Sequence, residues 1–184
     1  AYGANNTATA NAALAVGNNN IATGGASTAM GVSSVASGEA SVAIGNVAQA
    51  TQIRSTAVGN RAIAAQDSAS AFGNRANASA QFATAIGDNS HASAAAVAVG
   101  THANASHQDS IAIGTGANVN NYWGSQFSES INGIAIGKLA QVEGSAGAIA
   151  FGAGSTILRN LSYNVGSANA IAIGNNSKIT AASG

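Results

Sequence analysis

Ser41-Val42-Ala43-Ile44-Gly45 is the stretch that decides the fold, because close copies of it recur along the whole chain. Each copy reads x-Ala-apolar-Gly, and the first seven copies end in glycines spaced 14 residues apart. The later spacings are 13, 14, 23, 15 and 22 residues, and the two longest are one repeat plus an insertion. Self-similarity at a fixed period is typical of repeat architectures. The twelve glycines are Gly3, Gly17, Gly31, Gly45, Gly59, Gly73, Gly87, Gly100, Gly114, Gly137, Gly152 and Gly174.

Residue size alternates within each copy, as where Val42 and Ile44 flank Ala43. Alternation with period two and an enrichment in β-branched residues predict a short strand. The glycine at the end of every copy and the period itself exclude a helix. We expect the larger residues to face the interior of each coil. The structural core predicted in this way includes Val42, Ile44, Ile86, Ile111, Ile113, Ile136, Phe151 and Ile173.

The residue between the two larger ones is alanine in all twelve copies. A position facing solvent would vary among Ser, Thr, Lys and Asn, so a constant methyl group indicates a second packed surface. Strands of parallel sheets are often buried on both faces. We therefore expect the alanine face to pack on another subunit. The alanines predicted at this contact are Ala43, Ala57, Ala71, Ala85, Ala98, Ala112 and Ala135.

The chain turns after each glycine, often through a pair such as Gly45-Asn46, whose residues both tolerate left-handed backbone. A second short strand is expected next, with Ala48 and Ala50 facing inward and Gln49 facing solvent. One coil is then strand, turn, strand, turn. The predicted fold class is an all-β parallel solenoid of about twelve 14-residue coils.

The composition excludes several classes of protein. Charged residues make up 7% of the chain and the net charge is zero, which disfavours binding to nucleic acid. The absence of cysteine excludes disulfides and thiolate metal sites, and we expect no cofactor. No apolar run approaches the ~20 residues that span a bilayer, and no signal segment opens the chain. Any export signal or membrane anchor is expected outside this segment, which itself should not contact a membrane.

The pentapeptides Ser41-Val42-Ala43-Ile44-Gly45 and Ser110-Ile111-Ala112-Ile113-Gly114 resemble the signature repeat of YadA-like heads of trimeric autotransporter adhesins. The resemblance covers residues 1–184. It implies a left-handed parallel β-roll, three identical chains around a threefold axis, and display on a Gram-negative outer membrane. It also implies adhesion to extracellular-matrix proteins of the collagen, fibronectin or laminin class, or to host-cell receptors. Bacterial self-aggregation, or a spacer role within the surface fibre, is the alternative.

Two insertions interrupt the late repeats, near residues 118–132 and 158–168, and they depart from the regular family pattern. The first carries Tyr122, Trp123 and Phe127, and aromatic side chains dominate interface hot spots. These rings either contact a ligand or pack against the roll and its neighbouring subunits. The second insertion has the same two interpretations.

Arg61 and Arg75 occupy equivalent places in adjacent coils, two residues after the glycine, and His102 takes the same place later. They form either a shallow basic ridge for an acidic ligand or an ordinary solvated turn.

Metal binding and catalysis are both disfavoured. His91, His102 and His107 fall at different repeat positions, so stacking does not bring them together as a metal site needs. Ser106, His107 and Asp109 suit acyl transfer by type, but neighbours in one turn do not form a catalytic triad. We therefore expect no enzyme activity.

Other solenoid functions fit less well than adhesion. The β-helix acyltransferases use hexapeptide repeats, which the 14-residue period excludes. Ice binding needs a regular outward Thr array, whereas Thr28, Thr56 and Thr84 are expected to face inward. Calcium-binding solenoids need regular Asp residues in the turns, and the six acidic residues are scattered.

Overall fold

The computed structural model describes residues 1–120, 130–158 and 167–181. Two compact units make up the chain, Ala1–Ser90 and His91–Gly184. All regular elements of the described residues are short β-strands. Within those ranges there is no helix of the length and apolar character that crossing a membrane requires.

The first unit contains thirteen strands. The odd-numbered strands form one parallel sheet, in the order β1-β3-β5-β7-β9-β11-β13, and the even-numbered strands form a second, in the order β2-β4-β6-β8-β10-β12. In chain order the strands are β1 (Tyr2–Ala4), β2 (Thr7–Ala8), β3 (Leu14–Asn18), β4 (Ile21–Ala22), β5 (Thr28–Val32), β6 (Val35–Ala36), β7 (Val42–Asn46), β8 (Gln49–Ala50), β9 (Thr56–Val58), β10 (Ile63–Ala64), β11 (Ser70–Phe72), β12 (Asn77–Ala78) and β13 (Thr84–Ile86).

The second unit repeats the arrangement in its described residues. Its first sheet has the order β15-β17-β19-β21-β23, and its second sheet has the order β14-β16-β18-β20-β22-β24. The strands are β14 (His91–Ala92), β15 (Val97–Val99), β16 (Asn104–Ala105), β17 (Ile111–Ile113), β18 (Asn118–Asn120), β19 (Ile134–Ile136), β20 (Gln141–Glu143), β21 (Ile149–Phe151), β22 (Thr156–Leu158), β23 (Ile171–Ile173) and β24 (Lys178–Thr180).

Strand register follows the sequence repeat. Ala43 pairs with Ala57 in the next coil, and Ala112 pairs with Ala135 across the first insertion. Each residue therefore lies beside its counterpart one repeat away, and an insertion does not shift the register. The predicted all-β parallel solenoid is confirmed.

The alanines of the first sheet point into their own coil. Each is completely enclosed by a single chain, at 0% exposure, which holds for Ala43, Ala57, Ala71, Ala85, Ala98, Ala112 and Ala135. The prediction that these alanines face another subunit is therefore wrong, because a side chain enclosed by its own chain offers no surface to a partner.

The larger apolar residues lie on the opposite, outer face of the same strands. Their assignment to the structural core of the coil is also wrong. Val42, Ile44, Ile111, Ile134 and Ile136 are half-buried. The exposed fractions of the others are 40% for Ile86, 37% for Ile113, 50% for Phe151 and 69% for Ile173.

The interior is narrow because both sheets of a coil contribute small side chains to it. In one coil these are Ser41 and Ala43 from the first sheet and Ala48 and Ala50 from the second, all fully buried. Gln49, between the last two, points outward and is half-buried, as predicted. The interior of this coil is therefore filled by methyl and hydroxymethyl groups.

The larger fully buried apolar side chains of the described residues lie in the second unit, at Val119, Val142 and Ile157. Gly133 lies beside two of them, and a Cβ on it would stand 2.9 Å from a Val119 methyl carbon and 3.3 Å from a Val142 one. A missing side chain in one sheet thus makes room for a larger one in the other. The interior is therefore filled both where small residues face each other and where a glycine faces a valine.

Left-handed backbone recurs every seventh residue of the first unit, with φ between 50° and 60°. The prediction that the Gly-Asn pair supplies it is only half right, because Asn46 is not left-handed and the following Val47 is. Left-handed backbone costs a non-glycine residue about 1–2 kcal/mol. The residues are Asn5, Ala12, Asn19, Ala26, Ser33, Ala40, Val47, Arg54, Arg61, Ser68, Arg75, Phe82 and Asn89.

These strained turns are held by hydrogen bonds between coils. The Val47 amide donates to the Val32 carbonyl at 2.8 Å, and the Arg61 amide donates to the Asn46 carbonyl at 2.8 Å. Since two such turns lie seven residues apart, each coil consists of two similar halves. Stacking of coils therefore stabilises turns that their sequences alone do not favour.

Two asparagines, the buried Asn20 and the half-buried Asn6, strengthen the first coils. The Asn20 amide nitrogen donates to the carbonyls of Val16 at 2.9 Å and Gly31 at 2.7 Å. Its amide oxygen accepts from the Ser34 backbone N–H at 3.0 Å. Asn6 makes the equivalent bonds one coil earlier. A fully paired buried amide stabilises the stack, whereas an unpaired one would destabilise it.

Replacing Ala43 with leucine should destabilise the coil itself. The extra three carbons would enter the narrow interior, and overpacking of this kind costs about 1–3 kcal/mol. Urea unfolding at a fixed chain concentration measures the change. Gln49→Leu, on the outer face of the same coil, is the control and should change the unfolding free energy by less than about 0.5 kcal/mol. Equal effects of both variants would contradict the inward placement of Ala43.

Replacing Gly31 with alanine should also destabilise the stack. At Gly31 φ is +124°, and an added Cβ would collide with the Gly45 carbonyl oxygen of the next coil. We expect a loss of about 1–3 kcal/mol in thermal or urea unfolding. Gly25→Ala is the control, because there the nearest atom to an added Cβ is the Glu39 Cγ at 4.0 Å. A harmless Gly31→Ala variant would refute this account of the glycine column.

Candidate functional site

The outer face of the first sheet in each unit carries two columns of side chains, one on either side of the inward alanines. We call this face the apolar stripe. It has no charged residue. In the first unit the stripe comprises Tyr2, Leu14, Val16, Thr28, Met30, Val42, Ile44, Thr56, Val58, Ser70, Phe72, Thr84 and Ile86; in the second it comprises Val97, Val99, Ile111, Ile113, Ile134, Ile136, Ile149, Phe151, Ile171 and Ile173.

The stripe is uncovered in the single chain. Met30 is 37% exposed and Phe72 is 39% exposed, and the remaining members are exposed or half-buried. Contiguous apolar surface of this kind marks an interaction site. The sequence predicted that the alanine face of this sheet packs on another subunit, but the face left exposed is the opposite one.

The outer face of the second sheet has a different character. In the second unit it carries His91, Asn104, Asn118, Gln141 and Lys178. The Asn104 amide nitrogen donates to the Asn118 amide oxygen at 3.0 Å, one coil away. Burial lowers the pKa of His91, so its neutral form is favoured. In the second unit this face is largely polar, whereas in the first unit it also carries Ile21, Val35 and Ile63. The apolar stripe is the more continuous apolar surface of the two.

Arg61 and Arg75 lie exposed at equivalent left-handed turns of adjacent coils. The column before them includes Asn74, whose amide donates to the Asp88 carboxylate at 2.5 Å. The neighbouring column therefore includes the negatively charged Asp88, and the surface around Arg61 and Arg75 carries both signs of charge. The assignment of these arginines to a ligand remains a prediction.

Tyr122, Trp123 and Phe127 lie outside the described residues, but the ends of both insertions are described. Asn120, where the chain enters the first insertion, pairs with Glu143 in the next coil. The second insertion follows Leu158, the last residue of β22, and Ile157 pairs with Val142. Both insertions therefore leave the second sheet at the same corner, in coils that flank the coil of Glu143.

A serine holds the base of the first insertion. The Ser130 hydroxyl donates to the Asn120 carbonyl at 2.9 Å. In the coil with no insertion, the Ser145 hydroxyl donates to the Glu143 carbonyl at 3.0 Å in the same way. The Ser145 hydroxyl also accepts from the Ser167 amide at 2.9 Å, where the chain returns from the second insertion. We call these residues the insertion corner; the hydrogen bond from the serine to the last strand residue is present with and without the extra residues.

Ser106, His107 and Asp109, the residue types considered for acyl transfer, lie within four consecutive positions at one turn. The Ser106 hydroxyl donates to the Val119 carbonyl at 3.0 Å, and it lies 3.4 Å from the His107 ring nitrogen. The Asp109 carboxylate accepts from the Gln108 amide at 3.1 Å. Across the three described ranges, no cluster of three or more His, Cys, Asp or Glu side chains could hold a metal ion.

Together, a stacked parallel solenoid and an uncharged, uncovered sheet face define an assembly module built from repeats. The family model of the YadA head domain repeat matches residues 22–48, 36–62, 50–76, 64–90, 78–95 and 94–117. These overlapping matches run from 22 to 117 and so cover 96 of the 184 residues. The chain belongs to the family of YadA head domain repeats, and the family and fold are those of an adhesin head rather than of an enzyme.

The crystal structure of the collagen-binding domain of the Yersinia adhesin YadA is 28% identical in sequence and superimposes with a TM-score of 0.43. The match covers 70% of this chain and 64% of the Yersinia chain. The present chain thus spans less than two thirds of that chain's length. No curated protein sequence matches the chain.

Proposed function

We propose that this chain is the head of a bacterial surface adhesin and that three copies associate through their apolar stripes. The observation that carries the proposal is the uncharged, partly exposed outer face of the first sheet in each unit. Membership of the YadA head family supports both the adhesin role and the number three. An anchor in the outer membrane, outside this segment, would place the head at the cell surface.

Energetics favour association through this face. The interior of each coil buries mostly methyl and hydroxymethyl groups, which contribute little hydrophobic free energy. Covering a Val, Ile or Phe side chain completely contributes about 1.5–3 kcal/mol. About half of the large apolar side chains of the chain lie on the stripe, so much of the available hydrophobic stabilisation is realised only when the stripe is covered.

The ligands we propose are extracellular-matrix proteins of the collagen, fibronectin or laminin class, or host-cell receptors. Repetition along the solenoid supports a multivalent mode of binding, in which many weak contacts add up to strong attachment. Bacterial self-aggregation and a spacer role in the fibre are the competing functions. Both would use the same assembly without a specific ligand surface.

We propose the insertion corner as the ligand-contact region, with Tyr122, Trp123 and Phe127 as its aromatic side chains. Two insertions leaving one corner, two coils apart, concentrate the departures from the regular repeat in one place. Loops carried by a rigid scaffold are common binding elements. Arg61 and Arg75, in the first unit, are a second and separate candidate contact.

Replacing Ile44 with aspartate should prevent association and leave the coil folded. The charge would be desolvated in the interface but remains solvated on the outer face of a single chain. We expect the dissociation constant of the assembly to rise at least about 100-fold, which is close to 3 kcal/mol. Light scattering at micromolar concentration should report three chains for the parent and one for the variant.

Gln49→Asp is the matched control, since Gln49 lies on the outer face of the second sheet in the same coil. It should remain a trimer. A parent chain that stays monomeric at micromolar concentration, or an Ile44→Asp variant that remains trimeric, would refute the proposed assembly.

Shortening the first insertion should reduce ligand binding without affecting assembly. Replacing residues 121–129 with one glycine gives Asn120-Gly-Ser130, which copies the natural Glu143-Gly144-Ser145 turn and keeps the Ser130 hydrogen bond. The parent and the variant are compared on immobilised collagens, fibronectin, laminin and vitronectin. We expect binding to at least one ligand to fall about tenfold or more, the effect of losing one aromatic hot spot.

The same replacement of residues 159–166 gives Leu158-Gly-Ser167 and separates the two insertions. Full binding after both replacements would exclude the insertion corner as the contact region and favour the regular surface of the coils.

A further inference from the structure

Because the apolar stripe repeats from coil to coil, neighbouring subunits could pack on it at more than one axial position. Its column next to the glycine is large and apolar in every coil, from Tyr2 to Ile173. Neighbouring coils are about 4.8 Å apart. A subunit displaced by one coil would present nearly the same contacts, so this column alone does not fix the axial register between subunits.

The other column of the stripe distinguishes the coils. In the first unit it reads Leu14, Thr28, Val42, Thr56, Ser70, Thr84. In the second unit it is entirely aliphatic: Val97, Ile111, Ile134, Ile149, Ile171. The hydroxyl-bearing members, Thr28, Thr56, Ser70 and Thr84, form what we call the hydroxyl column.

The hydroxyls of this column have no hydrogen-bond partner within the described chain, and the four residues are half-buried, so water reaches them. Covering the stripe would remove that water. A hydroxyl desolvated without a partner destabilises a complex, whereas hydroxyls that meet one another can pair.

We infer that the hydroxyl column sets the axial register of the proposed trimer, an inference that rests on the proposed function. In register, the hydroxyl-bearing residues of one subunit are level with those of the next. A mismatch is a hydroxyl-bearing residue level with an aliphatic one. A displacement of one coil gives five pairs in the first unit, and three of them are mismatches: Leu14 with Thr28, Thr28 with Val42, and Val42 with Thr56. A displacement of two coils leaves one mismatch in four, Val42 with Ser70.

The axial register between subunits decides whether three chains can form a closed, symmetric trimer. Three identical contacts that each carry an axial offset cannot close into a ring, so displaced contacts lead to asymmetric or open assemblies. Buried polar residues fix register in coiled coils in a comparable way, at some expense in stability. The hydroxyl column reduces the apolar area of the stripe and in return penalises the displaced arrangements.

The test is the quadruple variant Thr28→Val, Thr56→Val, Ser70→Val, Thr84→Val in the full chain. The chain has no cysteine, so Gln81→Cys, at an exposed turn, provides one spin-label site per subunit. Pulsed electron paramagnetic resonance then measures the distances between labels. The parent should give one narrow distance. The quadruple variant should add components from labels displaced along the coil axis by multiples of about 4.8 Å, together with assemblies larger than three chains in light scattering.

Thr28→Ser, Thr56→Ser, Thr84→Ser is the matched control, since it changes three of the same positions but keeps every hydroxyl. It should keep the single narrow distance. A single narrow distance in the quadruple variant would overturn the register role, as would displaced components in the serine control. A parent chain that is monomeric, with no distance between labels, would instead refute the proposed trimer itself.

Discussion

The narrow interior of the coil is the constraint on which the rest of the structure depends. Two short strands and two tight turns bring the sheets of one coil so close that alanine, serine and glycine fill nearly all of the space between them. Ala43 is therefore enclosed, and Ile44, its neighbour in sequence, has to point outward. The same geometry that excludes large side chains from the interior creates the apolar stripe. Because the interior is too small for a conventional core, large apolar side chains lie on an outer face, the one that we propose a second copy covers.

Stacking of the coils stabilises what a single coil would not. The left-handed backbone at Val47 and Arg61 is unfavourable for these residue types, and it persists because each amide donates to the coil before it. Gly31 permits the close approach of the next coil, and Asn20 joins its own coil to the next one through its side-chain amide. At the insertion corner, the Ser130 and Ser145 hydroxyls make the same kind of hydrogen bond, although nine residues separate Ser130 from its acceptor Asn120 and one separates Ser145 from Glu143.

Much of the fold could be predicted from the sequence, because backbone geometry links the repeat length to the coil and the alternation of residue size to the strand. The spacing of Gly31 and Gly45 defines a coil, and the alternation around Ala43 defines a strand. Alternation does not say which of the two faces of a strand points inward. The greater hydrophobicity of Ile44 favoured placing it, and not Ala43, in the interior. The small residues Ala48 and Ala50 on the facing strand were the available signal, since they imply a thin interior. The left-handed position was missed because Val47 is not a residue that favours such turns, and only the stacked coils hold it there.

A crystal structure of the purified chain in its assembled form tests the central claim most directly. The account predicts three chains in which Ile44 and Val58 contact neighbouring copies, while Ala43 and Ala57 touch only atoms of their own chain. Alanines of the first sheet in contact with another copy, or Ile44 and Val58 facing solvent in a chain without neighbours, would contradict it.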